Sequence, residues 1–116
     1  MRLSAMRCVA DVESVCGLKR YYSQLVMIKK RFPMEEHDPC AVPFSWADKT
    51  LDLPTSLVYE DINFELCCIM FNIGTAHANI ACRETRTELD SIKNAFMHWL
   101  ETFEYFPMLA YRYPCL

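Results

Sequence analysis

Between Ile62 and Ala81 the apolar residues fall on two separate helical stripes, and this double periodicity constrains the chain more than any other feature. Ile62, Leu66, Ile69, Ile73, Ala76 and Ile80 alternate steps of four and three, which stacks them on one face of an α-helix. Cys67, Phe71, Gly74, Ala78 and Ala81 repeat the same steps with mostly small side chains. A helix with two such faces must be covered from two sides, and its small face lets a neighbouring backbone come close. A glycine in a helix interior costs about 1 kcal/mol, so Gly74 predicts close packing that offsets it. The pattern predicts a long helix over 58–83 inside a mostly α-helical arrangement.

The flanking segments supply the covers. A first helix is predicted over 11–31, with Val15, Leu18, Tyr22 and Leu25 on one face and Phe32 continuing that stripe. Asp11 can cap its start, and Pro33 ends it by disfavouring a helical residue before it. Lys29, Lys30 and Arg31 then complement the negative end of the helix dipole. Residues 34–40 carry loop chemistry. Val42, Phe44 and Trp46 alternate with Ala41, Pro43, Ser45 and Ala47, which predicts a short strand. Pro43 cannot donate to a ladder, so that strand belongs at an edge. Residues 48–56, with Pro54, read as a loop.

Thr85 and Glu88 match a capping box, opening a third helix with Leu89, Ile92, Phe96, Trp99 and Phe103 on its core stripe. The short link after Arg83 predicts an antiparallel hairpin of the second and third helices. Residues 106–116 hold Pro107, Pro114 and several aromatics without a clear period, and are left as an unassigned aromatic tail.

The chemistry of the chain points away from catalysis. Its 116 residues make at most one domain, and its net charge of −3 argues against nucleic acid as the main partner. No signal peptide is legible, because Arg2, Arg7, Asp11 and Glu13 interrupt any apolar run. The weakly charged stretch 66–82 is too short and too polar to span a bilayer. Seven cysteines without a signal peptide predict free thiols in the cytosol, and the absence of a C-x-x-C argues against zinc. Cys67 reads as a small hydrophobe. His77 and His98 can approach across the hairpin, but two imidazoles lack a third metal ligand. Glu60, Asp61 and Glu65 suit the acidic first turn of a helix better than an acid pair. No catalytic residue, cofactor or metal site is predicted. Trp46 is expected to anchor a small core, with Asp48 satisfying backbone groups in the turn after the strand.

Together these residues resemble a family. Val42-Pro-Phe-Ser-Trp46-Ala-Asp48 is similar to the strand-and-turn signature of the BRO domain family. The run from Tyr59 to Gly74, with Phe64, Glu65, Phe71 and Asn72, resembles that family's central helix. Leu18-Lys-Arg-Tyr-Tyr-Ser-Gln-Leu25, Glu60-Asp61-Ile62 and His77 suit the version found in its phosphatase-linked, His-domain members. The likeness covers residues 3 to 98, with the two motifs in the right order.

The resemblance implies a tetratricopeptide-like helical part of a boomerang-shaped domain, with a small β element. It implies a cytoplasmic, endosome-associated scaffold for multivesicular body sorting, which binds the C-terminal helix of an ESCRT-III subunit without inserting into membranes. Trp46, Asp48, Phe64, Glu65, Phe71, Asn72 and Gly74 would be structural signature residues. Family members continue through further helices that carry the binding groove. Residues 1–105 are therefore expected to be a partial BRO domain, and no partner-contact residue is carried over. An independent helical-repeat peptide binder is the alternative, although no further hairpin repeats these spacings. An enzyme ranks third.

Overall fold

A computed structural model describes residues 12–47 and 57–112. Among the described residues, three helices carry the fold: α1 (Val12–Arg31), α2 (Ile62–Arg83) and α3 (Leu89–Arg112). Two three-residue strands, β1 (Phe44–Trp46) and β2 (Leu57–Tyr59), lie between the first two helices in the chain. Asp11, expected to cap α1, and the 48–56 loop lie outside the described residues.

Helix α1 buries Val15, Leu18, Tyr21 and Leu25. Tyr21 takes the place expected of Tyr22, which is only half-buried. Phe32 does not continue the stripe and is 53% exposed. The reason is that α1 ends at Arg31 and Pro33 turns the chain away. Met34 packs on the core instead, and its carbonyl accepts the Ile62 amide at 3.1 Å. The loop between them is closed by a reciprocal pair: Glu35 N donates to Asp38 Oδ2 and Asp38 N to the Glu35 carbonyl, both at 3.0 Å. His37 sits at φ 67° beside this turn.

The strands pair antiparallel, with Phe44 opposite Tyr59, Ser45 opposite Val58 and Trp46 opposite Leu57. The expected strand is thus real but shorter, since Val42 stays outside it. Val58 and Tyr59, expected to begin the long helix, form its partner instead. Their β-branched and aromatic side chains suit a strand. The helix starts at the first good cap: Asp61 holds an extended backbone (φ −149°, ψ 123°) and its Oδ1 accepts the Asn63 amide at 2.9 Å.

The first stripe of α2 is buried along its whole length, from Ile62 to Ile80. With Val15, Leu18, Tyr21 and Leu25 of α1 it forms one core cluster, and Phe44, Trp46 and Tyr105 pack against it. The small stripe meets α3, where Gly74 and Ala81 are buried.

Two expectations for α3 fail. The capping box does not form: Thr85 Oγ1 lies 3.2 Å from both Thr87 Oγ1 and Ser91 Oγ, and the helix opens at Leu89. Arg86 stands between at φ 55°, with its amide bonded to Ser91 Oγ, so no helical turn can run from Thr85 to Glu88. The expected core stripe also faces outward, with Leu89, Ile92, Phe96 and Phe103 between 48 and 66% exposed and Trp99 half-buried. Among the described side chains of α3 the buried positions are Ala95 and Thr102. A small-residue face on α2 draws in the small-residue face of its neighbour, and the bulky stripe is left outside. The helix then runs through Pro107 to Arg112, so part of the aromatic tail is helical.

Candidate functional site

Two of the residues expected as family signatures, Trp46 and Glu65, meet at a buried carboxylate. Glu65 lies in the first turn of α2 with no exposed surface. Its Oε2 accepts the Trp46 indole N–H from β1 at 2.5 Å, and its Oε1 accepts the Tyr21 hydroxyl from α1 at 3.0 Å. A buried carboxylate is tolerated when donors surround it, and here the donors arrive from two other elements. The arrangement therefore ties strand, first helix and central helix at one point. Trp46 does anchor the small core, and it does so through a polar tip as well as its ring.

The other signature residues divide. Phe64 is buried and packs against Tyr59 of β2 with ring centroids 4.8 Å apart, which closes the strand pair onto α2. Phe71 is half exposed and meets Phe106 at 5.7 Å. Asn72 is half-buried. Gly74 is buried against the Phe106 ring. Asp48 lies outside the described residues. Lys29, from the basic end of α1, donates to Asn63 Oδ1 at 2.6 Å and pairs with Glu35 at 3.3 Å. That use is structural.

Tyr21 is the member that sequence reasoning missed. The signal was the Tyr21-Tyr22 doublet, since a buried phenol needs a polar partner, but the sequence alone does not choose Glu65 over Glu60 or Asp61 as that partner.

Two further features flank this anchor. His77 of α2 and His98 of α3 meet across the hairpin with their Nδ1 atoms 3.0 Å apart. The His77 ring also stacks on Tyr105 at 5.9 Å. Burial lowers the His77 pKa; the Lys19 ammonium and His98 act the same way, against an opposing pull from Glu101. Beside them an open cleft of about 330 Å³ lies between α1 and α3, floored by Met70 and Ile73 and rimmed by Lys19, Glu101 and Glu104.

Among the described residues no three His, Cys, Asp or Glu side chains are grouped to hold a metal. Cys16, Cys40, Cys67 and Cys82 are free thiols, and burial raises the pKa of Cys67, in keeping with a packed, unreactive side chain. Among the described residues no helix is long and apolar enough to cross a membrane.

A small strand pair sewn by an indole–carboxylate bond onto the central member of three helices defines a mostly α-helical module with a specific internal anchor. A family model described as a BRO1-like domain matches residues 1–113, and the chain belongs to that family. It is 29% identical over 99 residues to the human (Homo sapiens) tyrosine-protein phosphatase non-receptor type 23, covering 85% of this chain and 6% of that protein. It is 34% identical over 79 residues to vacuolar protein-sorting protein bro-1 of Neurospora crassa, covering 68% of this chain and 8% of that one. Programmed cell death 6-interacting protein of Homo sapiens is 26% identical over 87 residues, 71% of this chain and 10% of that protein. The chain thus spans a tenth or less of the length of these relatives.

Proposed function

We propose that this chain is the anchor region of a cytoplasmic, endosome-associated sorting scaffold with no catalytic role of its own. The complete domain binds the C-terminal helix of an ESCRT-III subunit, and these 116 residues alone do not. The observation that carries the reading is the Trp46–Glu65–Tyr21 junction, which spends the family's signature residues on holding elements together. Relatives named for vacuolar protein sorting and for interaction with another protein support the scaffold role. An amphipathic helix docks by filling a preformed apolar groove with side chains at i, i+3 and i+4, and a few central contacts carry most of its affinity.

Titration of a labelled ESCRT-III C-terminal helix tests this. The chain alone should give no saturable binding tighter than about millimolar, roughly −4 kcal/mol. A chain extended by the further helices of the family domain should restore it. Micromolar binding by the 116 residues themselves would instead favour an independent helical peptide binder. The cleft floored by Met70 and Ile73 is the specific feature that supports that second reading.

A further inference from the structure

The His77–His98 contact is an N–H···N bond, and such a bond needs a fixed number of protons. With Nδ1 facing Nδ1 at 3.0 Å, one nitrogen must donate and the other accept. The far nitrogen of His77, Nε2, is buried without a hydrogen-bond partner among the described residues, in a residue that is 5% exposed. A lone pair left unpaired in the interior costs less than an unpaired N–H. The favoured state therefore has the proton on His77 Nδ1, donated to His98 Nδ1, with His77 Nε2 bare.

Adding a proton has no good outcome in this geometry. If His77 takes it, Nε2 becomes a buried donor facing no acceptor, in a ring that already carries the desolvation cost of charge. If His98 takes it on Nδ1, two N–H groups face each other. If the pair then shifts tautomer to restore the bond, the displaced proton ends on His77 Nε2 and the same orphan donor appears. The groups facing the pair are Lys19 from α1 and Glu101 and Tyr105 from α3. Lys19 opposes a positive ring and Glu101 favours one, so the two neighbours pull in opposite directions. Tyr105 offers a stacked face to His77, which gives Nε2 no in-plane acceptor.

We propose that the His77–His98 pair is an acid-sensitive latch on the α2–α3 hairpin, closed at neutral pH by one shared proton, weakened in mild acid and released by proton uptake at lower pH. The latch sits one turn from a direct contact between the two helices, where the Thr102 hydroxyl, bonded to the His98 carbonyl at 3.0 Å, also reaches the Gly74 carbonyl at 3.4 Å. Loosening at His98 therefore bears directly on that contact.

The sign follows from proton counting. A histidine held neutral in the fold binds fewer protons than it does unfolded, so stability is full above the ordinary histidine pKa and falls as pH drops through it. With an ordinary value of about 6.5, a ring that stays neutral in the fold reduces the folded-to-unfolded ratio about tenfold by pH 5.5. Urea titrations of the whole chain at about pH 7.5 and pH 5.5 should show this tenfold loss. His77→Phe should reduce the response to about twofold or less, while His37→Asn should leave it intact, because His37 is exposed at the loop. A tenfold response that survives His77→Phe, or its absence from the unaltered chain, overturns the proposal.

Imidazole nitrogen NMR of the unaltered chain provides a measurement independent of any variant. A coupling across the Nδ1···Nδ1 bond should be present at neutral pH and vanish in acid. A coupling that is absent at neutral pH, or that persists unchanged in acid, would equally overturn it.

Discussion

Gly74 lies directly beneath the ring of Phe106: a Cβ added at Gly74 would stand 2.8 Å from Phe106 Cε1 and 3.2 Å from Cδ1. Twenty-two residues of helix pivot on this contact, because it sets how near α3 can come to α2. A ring can swing aside more easily than a backbone can move, so the contact resists large side chains more than small ones.

Gly74→Leu should therefore destabilise the chain by about 1–3 kcal/mol through overpacking. Gly74→Ala should be close to neutral, since a gain of about 1 kcal/mol in helix propensity opposes the displacement of the ring. In a Phe106→Ala background the same Gly74→Ala change should become stabilising by about that amount. Denaturant melts of the four chains form a cycle that isolates the contact. If Gly74→Leu were neutral, close packing of the small face would be the wrong account.

The opposite face of α2 responds to loss of volume. Ile73 is 2% exposed and lies in the cluster shared with α1, so Ile73→Ala should cost about 2–5 kcal/mol. Ile92→Ala, at 48% exposure on α3, should change stability by no more than about 0.5 kcal/mol. Equal losses at both positions would mean that the outward stripe of α3 is covered after all.

These two helices also show what a sequence can and cannot disclose. The buried stripe of α2 was readable because strict four-three spacing has one structural solution when six large or medium apolar residues obey it. The partner at Gly74 was half readable: a glycine in mid-helix implied a close neighbour, but nothing local named Phe106, which stands just before Pro107 in a segment without a clear period. The face of α3 that meets α2 was not legible: it carries the buried Ala95 and Thr102 but also seats the Phe106 ring against Gly74, so side-chain size alone does not tell it from the Phe96 and Phe103 stripe. The strand at 57–59 was missed because Val58 and Tyr59 fit a helix as well as a ladder until Asp61 is recognised as the cap. Trp46 and Glu65 were both legible as signature residues. Their bond was not, because period and spacing carry no information on which donor meets which acceptor across 19 residues.

That bond yields a direct test. Trp46→Phe keeps the ring and removes the donor to Glu65 Oε2, and a hydrogen bond to a charged group is worth about 1.5–3 kcal/mol. Tyr21→Phe removes the donor to Oε1 and should cost a similar amount. Because both act on one buried carboxylate, the double variant should depart from additivity by about 0.5 kcal/mol or more. Strict additivity in urea titrations would show that the two contacts are independent and that the junction is not a unit.

The last prediction concerns the outward face of α3. Leu89, Phe96 and Phe103 are each at least 60% exposed, and Ile92 stands between them at 48%, all on a four-three stripe along one side of a single helix. Trp99 stacks on Phe103 within the same stripe, with ring centroids 6.2 Å apart. Scattered apolar residues on a surface carry no message, but a contiguous stripe of four large side chains is a recognised driver of association. The chain in isolation should therefore self-associate, with a sedimentation coefficient that rises with concentration. Phe96→Glu combined with Phe103→Glu places like charges along the seam and should return the chain to a monomer without loss of helical signal. Asn94→Glu adds charge to an exposed position of the same helix off the stripe, so it should leave association unchanged. A monomer at every concentration before substitution would rule out the stripe as an adhesive surface. Association equally reduced by Asn94→Glu would assign the effect to net charge.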